Sequence, residues 1–121
     1  MSFNVLTVDD SRTIREMLKQ TLEQAGLTVF QAEDGQQGLD VLDGSAPRVI
    51  VTDINMPRLD GFGFIEGVRR HARWRSVPIL VLTTESDGEK KARAREAGAT
   101  GWIVKPFNPT KLVEAVLRVA A

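Results

Sequence analysis

The chain has 121 residues, no cysteine and one histidine, and its sixteen basic and sixteen acidic side chains cancel. This length predicts a single domain over residues 1–121, while the composition excludes disulfides, thiol nucleophiles and cysteine-ligated zinc and does not favour binding to nucleic acid. Because no apolar run approaches the roughly 20 residues of a membrane span and the first residues do not resemble a signal peptide, we expect a cytoplasmic protein without membrane contact.

The first half of the chain predicts strands and helices in alternation. Residues 3–8 form a short apolar run rich in β-favouring side chains and predict the first strand. Ser11 can cap a first helix, whose apolar stripe extends over residues 14–25. Residues 27–32 predict the second strand, and residues 35–42 predict a short second helix.

The second half continues this alternation. Short apolar runs predict three more strands, at residues 48–52, 77–82 and 101–104. Helical spacing predicts three more helices, at residues 62–70, at residues 89–97 and from Pro109 onwards. The helix at residues 89–97 is unusually polar, and its inward face offers mostly alanine.

Strands that alternate with helices at this spacing predict repeated βαβ units around a parallel sheet. Right-handed crossovers allow few topologies, and five strands fit the doubly wound, flavodoxin-like order 2-1-3-4-5. The predicted fold class is therefore α/β, with five parallel strands and five helices. Ligands of such sheets bind outside the carboxyl ends of the strands.

Acidic residues follow the first and third predicted strands, which are neighbours in this order. Asp9 and Asp10 end the first strand and Asp53 ends the third, so three carboxylates converge on one pocket. A cation is the simplest remedy for their mutual repulsion. Oxygen ligands without histidine or cysteine select a hard ion, so the sequence predicts a Mg²⁺ site.

The fourth and fifth strands bring a hydroxyl and an ammonium group to the same edge. Thr83 follows the fourth strand and Lys105 follows the fifth. A carboxylate beside Mg²⁺, a lysine and a hydroxyl suits phosphoryl transfer through an aspartyl phosphate. Asp53 is the best nucleophile, because an apolar strand fixes its backbone and the loop INMPRLDG leaves room for a donor.

Four segments carry a resemblance to a known family. LTVDDS, VTDINMPRLDGF, LVLTTES and GWIVKPF, in this order and at these separations, resemble the receiver domain of two-component response regulators. The resemblance covers essentially the whole chain. The stand-alone length and GWIVKPF are most similar to the chemotaxis regulators of the CheY type, so the resemblance implies a CheY-like receiver without an output domain.

The resemblance implies roles in phosphorylation for the residues that match. Asp53 would be the phosphoacceptor. Asp10 and Asp53 would ligate Mg²⁺ directly, and Asp9 would assist. Asn55 would give its backbone carbonyl to the metal, and Lys105 would pair with the phosphoryl group.

The resemblance also implies a conformational switch. Thr83 would bond the phosphoryl group, and Trp102 would then turn inward. The family more often has tyrosine at that place, so the bulkier tryptophan is expected to fit the inward state less well. Lys105-Pro106 would be joined by a cis bond, and Asn55 and Glu85 would tune hydrolysis of the acyl phosphate.

The implied phosphoryl donor is a CheA-like sensor histidine kinase. The readout face would be formed by the fourth helix, the fifth strand and the last helix, with Trp102, Lys90, Lys91 and Lys111 as candidates. The implied partner is a flagellar motor switch protein or a phosphotransfer protein. A monomer is expected, because the sequence shows no strongly apolar surface stripe.

Three alternatives stay open. A phosphorelay intermediate or phosphate sink would use the same chemistry without contacting a motor. A Mg²⁺-dependent aspartyl-phosphate phosphatase would pair Asp53 with a second aspartate two residues on, but Asn55 occupies that place. An FMN-binding protein would present a phosphate-binding turn where this chain has repelling carboxylates.

Three further features are not assigned a function. Trp74 is expected to pack after the third helix, and His71 lies in a basic, solvated stretch. Gly61-Phe62-Gly63 begins like a dinucleotide-binding fingerprint, but Glu66 occupies its sixth position, so the match is coincidental.

Overall fold

Helices connect the successive strands along residues 2–121, the part of the chain that the computed structural model describes. The strands are β1 (Asn4–Val8), β2 (Thr28–Ala32), β3 (Val49–Thr52), β4 (Ile79–Thr83) and β5 (Gly101–Val104). The helices are α1 (Arg12–Gln24), α2 (Gly35–Asp40), α3 (Leu42–Ser45), α4 (Gly61–Arg70), α5 (Gly88–Ala97) and α6 (Pro109–Ala120). All pairs of neighbouring strands are parallel, in the order β2-β1-β3-β4-β5, which confirms the predicted topology. Within residues 2–121, none of the helices combines the length and apolar character needed to cross a membrane.

The second predicted helix is divided in two, so the described residues contain six helices and the predicted number of five was wrong. The division falls at Val41, where φ is −99° and ψ is 5°. Glycine is about 1 kcal/mol poorer than alanine in a helix interior, and it recurs within α2 and α3. The interruption still leaves Leu42 fully buried, because α3 continues along the sheet.

Two hydrophobic clusters lie on opposite faces of the sheet. On one face, Leu18 of α1 belongs to the same cluster as Leu112 and Val116 of α6. On the other face, α3, α4 and α5 contribute to a cluster that includes Phe64, a fully buried residue of α4. Successive residues of β4 alternate between the two clusters. The continuous apolar strands are therefore covered on both faces, as predicted.

Cationic side chains contact helix α5 and its C-terminal end. Ala94 is its one buried residue among those described, which agrees with the predicted alanine-lined inner face. The Arg93 guanidinium lies 4.0 Å from the centre of the Phe62 ring. At the other end of the helix, Arg69 of α4 donates two hydrogen bonds to the Gly98 carbonyl, at 3.0 and 2.7 Å. Polar contacts thus supplement the small apolar face of α5.

An ion pair that the sequence did not predict joins the loop after β3 to α2. Arg58, whose φ is 66°, donates through Nε and Nη2 to both carboxylate oxygens of Asp34, at 2.9 and 3.1 Å. Asp34 also caps α2 by accepting a hydrogen bond from the Gln37 amide. This amide and the Arg58 guanidinium hold the pKa of Asp34 below its ordinary value.

We expect Asp34→Asn to destabilise the protein at neutral pH and to have little effect in acid. Asparagine preserves the helix cap, so the substitution isolates the charge that pairs with Arg58. Because the folded-state pKa lies below the unfolded value of about 3.9, the carboxylate stabilises the fold above that pH. This contribution is lost as the pH falls through the folded-state pKa. Urea unfolding of the wild type and the variant across the acid range measures the difference.

The control for this prediction is Glu23→Gln, which removes an exposed carboxylate of α1. Its stability is expected to follow that of the wild type across the same pH range. A destabilisation by Asp34→Asn that stays constant into acid would contradict a role for the charge.

Candidate functional site

Polar residues from three strand ends meet in one cleft. Lys105 Nζ, after β5, lies 2.8 Å from Asp9 Oδ2 and 3.1 Å from Asp53 Oδ2. One carboxylate oxygen from each of Asp9, Asp10 and Asp53 lies within 4.8 Å of the other two. The Lys105-Pro106 bond is cis, as the resemblance implied. The fold therefore brings together the three carboxylates and the lysine that the sequence placed at the strand ends.

Backbone amides orient the two buried carboxylates. Asp53 Oδ1 accepts a hydrogen bond from the Ile54 amide at 2.7 Å, and Asp9 Oδ1 accepts one from the Ser11 amide at 2.9 Å. Each of these carboxylates thus has one oxygen on the backbone and the other on Lys105. Asp10, by contrast, is exposed.

Burial and charge compete in the cleft. Burial raises the pKa of Asp9 above its ordinary value, although the Lys105 ammonium and the Ser11 amide act to lower it. Burial alone would lower the pKa of Lys105, but its contacts with Asp9 and Asp53 outweigh this effect and raise it. Lys105 is therefore charged at neutral pH, and one ammonium faces three acidic side chains.

The donor set fits a hard divalent cation such as Mg²⁺. All three candidate side chains offer carboxylate oxygens within a small space, and Mg²⁺ prefers oxygen ligands and retains several waters. A cation would offset the repulsion among carboxylates that Lys105 neutralises only in part.

A second polar group borders the cleft at the end of β4. Thr83 is fully buried, and its Oγ1 accepts a hydrogen bond from the Glu85 amide at 3.3 Å. Glu85 Oε1 accepts from Asn55 Nδ2 at 3.2 Å and from Lys90 Nζ at 3.1 Å. Lys90, and then Asn55, hold the pKa of Glu85 below its ordinary value. These contacts tie the loops after β3 and β4 to the first turn of α5.

Three of the four residues predicted for the partner face lie near one another. Trp102 of β5 is partly buried and packs against the cluster beneath α4 and α5. It lines a groove of about 370 Å³ together with Lys111, and a cavity of about 40 Å³ together with Lys91. Lys90 is engaged with Glu85 instead. Trp74, predicted to pack, joins the cluster and also donates through Nε1 to Asp43.

Gly61, the first residue of α4, has a role that the sequence did not predict. A Cβ at this position would collide with the Asp53 carbonyl oxygen and would lie 2.7 Å from the Ile54 Cα. The Gly61 amide also donates to the Ile54 carbonyl at 2.8 Å. The available signal was a glycine directly after Asp60, a helix-capping residue, in the loop that follows the proposed nucleophile.

The comparisons with known protein families, protein sequences and solved structures agree with one another. The family model described as response regulator receiver domain matches residues 5–117. Chemotaxis protein CheY1 of Helicobacter pylori is 39% identical over 112 residues, which cover 91% of this chain and 90% of that protein. The KDP operon transcriptional regulatory protein KdpE of Escherichia coli is 40% identical over a region that covers 97% of this chain and 50% of that protein. The structure of Vibrio cholerae chemotaxis protein CheY4 matches with a TM-score of 0.93 and 44% identity, covering 98% of this chain and 99% of that one.

Proposed function

The chain belongs to the response regulator receiver domain family, and from that premise we propose that it accepts a phosphoryl group on Asp53 from the phosphohistidine of a sensor histidine kinase. Receiver domains are signalling proteins. In the proposed chemistry, the protein itself is phosphorylated and dephosphorylated, and no separate substrate is converted. One observation carries the proposal: a single ammonium, that of Lys105, bonds both Asp9 and Asp53 beside a third carboxylate. Nucleophile, cation and metal-type ligands thus share one cleft.

In the proposed reaction, a carboxylate oxygen of Asp53 attacks the phosphorus of the phosphohistidine. The oxygen–phosphorus bond forms as the phosphorus–nitrogen bond breaks, and the imidazole leaves with the electron pair. The hydrogen bond from Ile54 fixes the nucleophile in one orientation. Lys105 donates to Asp53 before the reaction and pairs with an oxygen of the transferred group after it. Hydrolysis by water returns the carboxylate and inorganic phosphate.

Mg²⁺ is part of the proposal. Asp10 and Asp53 would hold it directly, Asp9 would assist, and Asn55 would offer its backbone carbonyl. The bound ion supplies positive charge that offsets the negative charge of the phosphoryl oxygens.

Phosphorylation would shift an equilibrium between two conformations of the readout face, which α5, β5 and α6 form. The Thr83 hydroxyl, now bonded to the Glu85 amide, would turn to the phosphoryl group, and Trp102 would move inward. The groove that Trp102 and Lys111 line is the proposed contact for a partner.

Chemotaxis is the proposed setting, since similar proteins of Helicobacter pylori and Vibrio cholerae are named chemotaxis proteins. The proposed phosphoryl donor is a CheA-like kinase. Because such a kinase uses the ATP of the cytoplasm, the proposed location is the cytoplasm. The proposed partner that receives the signal is a flagellar motor switch protein. We further propose that the protein acts as a monomer. A phosphorelay or phosphate-sink role would use the same site with a phosphotransfer protein as partner.

The test is the mass of the intact protein after incubation with acetyl phosphate, with and without Mg²⁺. We expect one phosphoryl adduct per chain on the wild type, formed only with Mg²⁺. We expect no adduct on Asp53→Asn, because an amide is not a nucleophile for this reaction.

Asp60→Asn is the matched control, since Asp60 is an exposed aspartate that caps α4 and asparagine also serves as a cap. It is expected to form the adduct as the wild type does. If neither acetyl phosphate nor a phosphorylated histidine kinase modified the wild type, or if the adduct persisted on Asp53→Asn, the proposal would be wrong.

A further inference from the structure

Glu85 connects the proposed phosphoacceptor loop with helix α5. Its Oε1 accepts hydrogen bonds from Asn55 Nδ2 at 3.2 Å and from Lys90 Nζ at 3.1 Å. Asn55 lies two residues after Asp53, and Glu85 lies two residues after Thr83. The three side chains therefore form a bridge that begins beside the nucleophile and ends on the first turn of α5.

Both donors favour the ionised form of the Glu85 carboxylate. They hold its pKa below the ordinary value, and the hydrogen bond from Lys90 is the larger influence. The side chains of Glu85 and Lys90 are 27% and 42% exposed, so the bridge is formed at the solvent side of the cleft. Glu85 and Lys90 are five residues apart across the start of a helix, a separation at which no helical pattern predicts a contact.

We propose that Lys90 is a positioning residue that prolongs the life of the aspartyl phosphate by holding Glu85 and Asn55 across the outer side of the cleft. This inference rests on the proposed function. Water hydrolyses an acyl phosphate by attack on phosphorus in line with the bond that breaks. In this proposal, the two side chains held at the solvent side of the cleft restrict that approach and exclude water.

Lys90 acts only through Glu85. Without its ammonium group, the carboxylate keeps one weak donor, the amide of the exposed Asn55. Glu85 would then sample other rotamers, and the outer side of the cleft would open for part of the time. An exposed ion pair of this kind supports a change of about two- to fivefold in rate.

The experiment measures loss of the phosphoryl adduct after acetyl phosphate is removed, by intact mass. Lys90→Gln is expected to hydrolyse its adduct about two- to fivefold faster than the wild type. Lys90→Arg, which keeps a cationic donor, is expected to restore the slower rate. Lys19→Gln, which removes the charge of an exposed lysine on α1, is the control and should match the wild type.

A double substitution separates positioning from a general effect of charge. In a Glu85→Ala background, adding Lys90→Gln should change the hydrolysis rate no further, because the side chain that Lys90 holds is gone. Equal or slower hydrolysis by Lys90→Gln alone, or an additional acceleration in the double variant, would overturn the inference. Failure of the wild type to form any adduct would instead count against the proposed function.

Discussion

Replacement of Lys105 by methionine is expected to lower the free energy of unfolding by about 3 kcal/mol in metal-free solution. The Lys105 side chain is 10% exposed, and its two partners, Asp9 and Asp53, are similarly buried. Methionine keeps much of the aliphatic stem but leaves the two buried carboxylates without their shared cation. Proton uptake by Asp9, whose pKa burial already raises, limits the loss.

The same substitution should respond to Mg²⁺ in a distinctive way. Because the Lys105 ammonium repels a cation bound by the same carboxylates, Lys105→Met is expected to bind Mg²⁺ more tightly than the wild type. Saturating Mg²⁺ should therefore restore part of the lost stability through preferential binding to the folded state. The rate of phosphorylation by acetyl phosphate should nevertheless fall by about 100-fold, because the metal does not replace an ammonium aimed at the phosphoryl group.

Urea unfolding with and without Mg²⁺ measures both effects on stability. Lys19→Met, at an exposed position of α1, is the control and should change the free energy of unfolding by less than about 0.5 kcal/mol. A destabilisation by Lys105→Met that matches this control, or that Mg²⁺ leaves unchanged, would show that Lys105 does not neutralise the acidic cleft.

The sheet and the acidic cleft were predictable because they depend on regular features. Strand order follows from the βαβ alternation and the handedness of crossovers. Once the order is known, residues that end adjacent strands must be neighbours, which places Asp9 and Asp53 together and brings Lys105 to the same edge.

Contacts between loops were not predictable, because they depend on side-chain rotamers and on backbone conformations without a sequence period. Arg58 reaches Asp34 from a position with positive φ, and Lys90 reaches Glu85 across a helix start. The division of the second helix at Val41 is a similar local effect, since the hydrophobic pattern continues through the break.

The importance of Gly61 was predictable only in part. Its position directly after a helix-capping residue is visible in the sequence, but the need for a glycine there arises from a tertiary contact. A side chain at this position would press on the backbone of Asp53 and Ile54 rather than on a flexible neighbour. That backbone carries the Ile54 amide, which orients the nucleophile. Relief of the collision must therefore move either the start of α4 or the nucleophile itself.

Gly61→Ala is accordingly expected to destabilise the protein by about 2 kcal/mol, in the range of overpacked sites. Displacement of the Asp53 backbone should also slow phosphorylation by acetyl phosphate by about 10- to 100-fold. Gly44→Ala is the matched control, because a Cβ there meets no atom within 4 Å and alanine favours the helix α3. It should leave phosphorylation unchanged and raise stability slightly. If urea unfolding and adduct formation were the same for both alanine variants, close packing of α4 on the nucleophile's backbone would not be what positions Asp53.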